Sequence, residues 1–163
     1  MRVLGIDPGL AIVGYGIIDF DGNKMKVIDY GVITTPKNTS YASRIKQIYD
    51  AMQLLLEKHH IDQVAVEELF FNQNTKTAID VAQARGAIVL SVMNSNLKLY
   101  EYTPLQVKQN VCGYGRADKR QVQEMAKRIL NLKDIPRPDD AADALAIAIG
   151  HCSTSRFSGM FGV

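Results

Sequence analysis

Apolar positions come in short runs and alternations along residues 2 to 6, 11 to 19 and 24 to 34, the pattern of three strands with one covered face. Asp21-Gly22 between the second and third supplies hairpin-turn chemistry, so the chain opens with an antiparallel meander. The period then lengthens. Over residues 41 to 59, Ile45, Ile48, Met52, Leu55 and Leu56 share one helical stripe, with Ser40 placed to cap the start and His59-His60 at the negative end. A strand over 62 to 67, a helix over 75 to 94 and a strand over 97 to 102 follow. Asp118 with Gln121 three residues later forms a capping box ahead of Val122, Met125, Ala126 and Ile129, and an Ala-rich helix runs from Ala141 to Ile149. Strands alternating with helices after a meander predict an α/β chain: a mixed five-stranded sheet, part antiparallel and part parallel, flanked by helices.

The helix over 75 to 94 carries two apolar stripes, Ala78, Ala82, Val89 and Met93 on one side and Val81, Ala84, Ile88 and Val92 on another. One stripe covers the sheet. The other calls either for burial on all sides within one chain or for a symmetric contact with a second copy, with Ala82 and Gly86 permitting close approach.

At 163 residues the chain fits one domain, assigned to residues 1–152, with the aperiodic residues 153–163 expected to form a flexible C-terminal tail. The start reads as neither a signal peptide nor a membrane span, because Asp7 and Pro8 interrupt the first apolar run and no run approaches about 18 apolar residues. A cytoplasmic protein without a membrane partner is expected, and the distant Cys112 and Cys152 read as reduced thiols.

Charge changes the picture. The chain is +2 overall, yet residues 104 to 137 hold eight basic residues (Lys108, Arg116, Lys119, Arg120, Lys127, Arg128, Lys133, Arg137) against the three acids Asp118, Glu124 and Asp134. That segment is +5, leaving −3 for the rest, which suits either a polyanionic partner or a solvated helix face. Lys119 and Arg120 fall in a first helical turn, where they can face a phosphate. The loop Gly113-Tyr114-Gly115 offers a further phosphate-loop reading, without the usual strand-turn-helix context.

Four carboxylates complete the candidate chemistry. Asp7 ends a strand before the turn pair Pro8-Gly9, and Glu67 ends the run Val64-Ala65-Val66. Asp140 and Asp143 lie three apart at the start of the Ala-rich helix, on one face. Each has a bland use: a turn residue, a solvated strand end, or acids complementing a helix dipole. Together they form a set of hard oxygen ligands that would repel one another without a cation between them. Two doublets leave alternatives open. Strand alternation lets only one of Glu67 and Glu68 face Asp7, with Glu67 sharing the face of Ala65. Asp139 also lines up with Asp143, although its place after Pro138 suits an N-cap.

Gly5-Ile6-Asp7-Pro8-Gly9, Ala65-Val66-Glu67, Gln83-Ala84-Arg85-Gly86, Gln106-Val107-Lys108-Gln109 and Asp140-Ala141-Ala142-Asp143-Ala144-Leu145-Ala146-Ile147-Ala148 closely resemble, in order and over nearly the whole chain, the RuvC family of Holliday junction resolvases. The resemblance implies an RNase H-like fold, a homodimer, dependence on Mg²⁺ with two ions per site and Mn²⁺ as a substitute, and paired symmetric nicking of four-way junction DNA in recombination and repair. It also implies 5′-phosphate and 3′-hydroxyl ends and work alongside the RuvA and RuvB branch-migration proteins. By position it places the catalytic and metal-holding acids at Asp7, Glu67, Asp140 and Asp143, a base-stacking aromatic at Phe70, and phosphate-side lysines at Lys108 and Lys119. Arg116 and Arg120, in the same basic segment, complete the expected DNA-binding set.

Three other readings share features with this one. The Gly-Ile-Asp-x-Gly start also occurs in actin-like ATPases and sugar kinases, but those have two such domains and a second phosphate loop. A non-cleaving junction-binding protein would not need four acids, and a different RNase H-like nuclease would share the fold.

Overall fold

The computed structural model describes residues 1–69 and 75–160, with side chains from Lys76 to Arg156 in the second stretch. Ten elements follow in chain order: β1 (Arg2–Asp7), β2 (Ile12–Phe20), β3 (Met25–Thr34), α1 (Tyr41–His59), β4 (Gln63–Glu67), α2 (Thr75–Asn94), β5 (Lys98–Tyr102), α3 (Pro104–Cys112), α4 (Lys119–Ile129) and α5 (Asp139–Met160). The sheet order is β3-β2-β1-β4-β5. The first three strands pair antiparallel, and β4 and β5 join parallel beside β1, giving the expected mixed sheet.

Strand alternation sorts the core into two layers. Leu4, Ile6, Val64 and Val66 face α1 and α2, where Ile48, Met52, Leu56, Ile88 and Val92 are buried. Val3 and Ala65 face the other way, onto α5 with α3 and α4 outside it. Asp7 continues the Val3-Gly5 face and Glu67 the Ala65 face, so both acids emerge on the α5 side at neighbouring strand ends.

α5 has apolar residues all round because it is sandwiched: Ala141, Ala144, Leu145, Ala148 and Cys152 are all buried. It lies unusually close to the sheet. A Cβ on Gly5 would come within 2.1 Å of the Ala144 carbonyl oxygen, and one on Gly14 within 1.9 Å of the Asp140 carbonyl oxygen. Gly14 is the cross-strand partner of Asp7, so the missing side chain there is what seats the start of α5 against Asp7. Small residues in β1 and β2 therefore set the distance between strand-borne and helix-borne acids.

Several expectations change. α5 runs to Met160, so residues 153–160 continue the last helix where periodicity had faded by Cys152. Ser153, Thr154 and Ser155 are half-buried and polar, so this part of α5 carries no apolar stripe to read. Gly113 is the left-handed C-cap of α3, donating to the Gln109 carbonyl oxygen, which accounts for the glycine without a phosphate loop. On α2 the outward stripe is Ile79, Leu90 and Met93 with Gly86 between them, while Ala78 is buried with the core side. Among the described residues, no helix is long and apolar enough to cross a membrane. Cys112 and Cys152 are both free thiols.

Candidate active site

Two backbone devices bring the acids together. Asp7 and Glu67 end the parallel neighbours β1 and β4, whose register runs to Ile6 opposite Val66. Asp140 and Asp143 occupy the first turns of α5, seated on Gly14. Glu68 is exposed and points away, its N–H closing onto the Tyr102 carbonyl oxygen at 2.8 Å. This geometry favours Glu67 within the first doublet.

In the second doublet, Asp139 is the first residue of α5 and not its N-cap: Ala142 N–H already donates to the Pro138 carbonyl oxygen. Asp139 turns outward, 3.1 Å from Lys119 Nζ and within hydrogen-bond reach of Gln123 Nε2, and this pairing holds its carboxyl below the usual range. Both residues act on Asp143, but only Asp140 also acts on Asp7. The inward member of the pair is Asp140.

Crowding shows in the electrostatics. Burial, then the negative charges of Glu67, Asp143 and Asp140, push the Asp7 carboxyl up to about 8, with Lys119 opposing. Glu67 is raised by burial and by Asp143, with Lys108 opposing, and Asp143 is raised chiefly by burial. The acids face one another without closing: among the described residues, no three Asp, Glu, His or Cys side chains stand ready-made around a metal position. Lys119 Nζ lies 3.5 Å from Asp143, so an ammonium already offsets part of this charge.

Local structure explains the lysines. The Asp118–Gln121 capping box starts α4 at Lys119 and aims it across to α5. A second capping box, Thr103 with Gln106 and Pro104 at the first helical position, starts α3 and carries Lys108. Sequence reasoning missed α3, although Thr-Pro-Leu-Gln is a complete helix-start signal. Glu67, Lys108, Lys119 and Asp143 line a single cleft of about 270 Å³ floored by Val107, Val122, Ala146 and Ile147. Arg116 is exposed in the α3–α4 connection, and Arg120 lines a different groove with Tyr114 and Arg128. The basic segment thus divides, two lysines meeting the acids and two arginines lying outside them. Phe70 and its neighbour Phe71 lie outside the described residues.

A mixed sheet in this order, with acids on adjacent strand ends and on a helix lying across them, defines a nuclease of the RNase H-like class. The comparisons make the class specific. The family model for the crossover junction endodeoxyribonuclease RuvC matches residues 3–151. The RuvC of Alkaliphilus oremlandii is 56% identical, with 100% of this chain and 99% of the relative aligned, and that of Finegoldia magna is 58% identical, with 96% of each aligned. The structure of Thermus thermophilus RuvC in complex with Holliday junction substrate superposes with a TM-score of 0.92 at 36% identity, over 97% of this chain and 96% of that one. The chain belongs to the RuvC family of crossover junction endodeoxyribonucleases, which are metal-dependent.

Proposed function

We propose that this chain resolves four-way DNA junctions with Asp7, Glu67, Asp140 and Asp143 as its catalytic, metal-holding set. The observation that carries the reading is the mutual coupling of these four carboxylates, strongest on Asp7. Four hard oxygen donors suit Mg²⁺, with Mn²⁺ able to substitute, and the raised proton affinity of Asp7, Glu67 and Asp143 is the signature of charge that a divalent cation relieves. Two bound ions would supply activation of water and stabilisation of the leaving 3′ oxygen. The chain's own part is to hold the acids on a rigid seat and to present Lys108 and Lys119 to the phosphate beside them. Hydrolysis leaves 5′-phosphate and 3′-hydroxyl ends that can be rejoined.

A homodimer fits the outward stripe of α2. Ile79, Leu90 and Met93 are roughly half exposed, and nothing lies within 4 Å of a Cβ built on Gly86. A helix-interior glycine costs about 1 kcal/mol relative to alanine, which close approach of a second helix would justify. Two sites related by a twofold axis would address two strands of one junction. Phe70 is proposed as the base-stacking aromatic and Arg116 and Arg120 as contacts to the junction arms, in a cytoplasmic protein working beside RuvA and RuvB.

The test is incubation of the protein with a synthetic mobile four-way junction and Mg²⁺, beside linear duplex of the same sequence. Paired symmetric nicks confined to the junction are expected. Cutting of both substrates alike would favour a general RNase H-like nuclease.

A further inference from the structure

Arg85 belongs to the Gln-Ala-Arg-Gly segment of α2, on the side of the sheet away from the acids. Its side chain is largely covered, 18% exposed, and its guanidinium reaches over the ends of two strands. Nε donates to the main-chain carbonyl oxygen of Glu67 at 3.3 Å, and a terminal nitrogen lies 3.0 Å from Glu101 Oε2. Glu101 precedes Tyr102, the β5 partner of Glu67. One guanidinium therefore ties α2, β4 and β5 at the residue where β4 ends.

We propose that Arg85 is a positioning residue for junction cleavage, clamping the backbone of Glu67 so that its carboxylate holds its place in the metal-holding set. The proposal rests on the reading of Glu67 given above. The need for a clamp follows from the surroundings. Glu67 is the last residue of its strand, and its carboxylate faces the negative charges of Asp7 and Asp143, which push it toward displacement. Among the described residues, backbone support beyond it comes from Glu68 N–H to Tyr102 O. A planar guanidinium suits the task because its N–H groups point in fixed, divergent directions, toward a carbonyl and a carboxylate at once; a lysine ammonium on the same backbone does not reproduce that fork. Arg85 is already engaged at both ends, so it is poorly placed to take a DNA phosphate. It also sits beside Gly86 in the outward stripe of α2, so the helix face offered to a second copy and the grip on Glu67 belong to the same turn. Groups that orient ligands from outside the ligand set typically change metal affinity or activity by about 10–100-fold when removed.

The experiment measures Mn²⁺ affinity of the DNA-free protein by calorimetry, and the Mg²⁺ dependence of junction cleavage, for wild type, Arg85→Ala, Arg85→Lys, Glu101→Gln and Glu67→Gln. Arg85→Ala is expected to weaken Mn²⁺ binding about 10-fold and to raise the Mg²⁺ needed for half-maximal cutting by a similar factor, with junction affinity in metal-free buffer unchanged. Arg85→Lys and Glu101→Gln should fall between it and wild type. If Arg85→Ala does not fold, those two milder variants carry the same readout. Unchanged metal affinity in every folded Arg85 and Glu101 variant, alongside a dead Glu67→Gln, would overturn the clamp alone. A Glu67→Gln that binds metal and cuts normally would instead remove Glu67 from the site, and the clamp with it.

Discussion

The two ends of the stretch of α5 that packs on the sheet, residues 140 to 152, both present polar side chains to it, and they are treated in opposite ways. Near the C-terminal end, His151 is 2% exposed and fully satisfied: Tyr102 Oη lies 2.6 Å from Nδ1, and Nε2 lies 2.7 Å from Gln63 Oε1. With Gln63 Oε1 as acceptor, Nε2 carries the hydrogen and Nδ1 accepts from the tyrosine. The Tyr100 ring covers the imidazole at 4.4 Å, and burial lowers its pKa to about 4, so it stays neutral. At the N-terminal end, Asp140 and Asp143 face Asp7 and Glu67 with like charges opposed. A fold satisfies buried polar atoms where they only need to be stable. Crowding that Lys119 only partly offsets therefore marks the end to which the proposed chemistry belongs.

The largest effect that separates the ends is expected from Asp7→Asn. Removing the most strongly coupled carboxylate should lower junction cleavage by about 10³-fold or more, equivalent to about 4 kcal/mol of transition-state stabilisation. Metal-free thermal stability at pH 8 should rise, because a charge repelled by three neighbours is gone. Junction binding measured without divalent metal should survive. Normal cutting by this variant would place the chemistry elsewhere.

Tyr102→Phe probes the other end and is expected to act on stability alone. It leaves the buried Nδ1 of His151 without its donor, a cost of about 1–3 kcal/mol. For a chain of this size that corresponds to a fall of several degrees in Tm, on the basis of about 2–4 °C per kcal/mol. Cleavage per folded molecule and its metal dependence should match wild type. A shift in metal dependence would show that the satisfied end also shapes the site.

Much of the fold and of the acid cluster is legible in the sequence, the satisfied His151 is not, and the reasons for the exceptions are physical. Strand periodicity, the Ser40 cap and the Asp118–Gln121 box each act over a few residues, and β1, α1 and α4 accordingly lie where local pattern placed them. Asp7 and Glu67 were readable because strand ends are visible in sequence. The role of Gly14 was not, since its meaning lies in a helix start 126 residues later along the chain. Arg85 was visible as part of a segment, but its two partners come from different strands. The helical continuation past Cys152 left no apolar period because it runs through the polar Ser153-Thr154-Ser155-Arg156, where the Thr154 and Ser155 hydroxyls donate back to the Gly150 and His151 carbonyl oxygens.

The smallest effect is the pH dependence of metal-free stability, and it discriminates the two ends by sign. The Asp7 carboxyl is raised from 3.8 to about 8, so between those values the folded protein retains a proton that the unfolded chain has released. Folding then takes up protons, and stability falls as pH rises through that window. His151 runs the other way: its pKa is depressed from 6.5 to about 4, so its contribution is present above 6.5 and is lost as pH falls toward 4. Between pH 6.5 and 8 only the acidic end titrates. A decline of about 1 kcal/mol is expected over that interval, below the roughly 2 kcal/mol that about 1.4 kcal/mol per pH unit would give, because solvent shares the charge. Mg²⁺ should raise Tm more at pH 8 than at pH 6, where the retained proton competes with the cation, and Asp7→Asn should flatten the slope. A wild-type curve already flat over that interval would mean that the four carboxylates do not share one field.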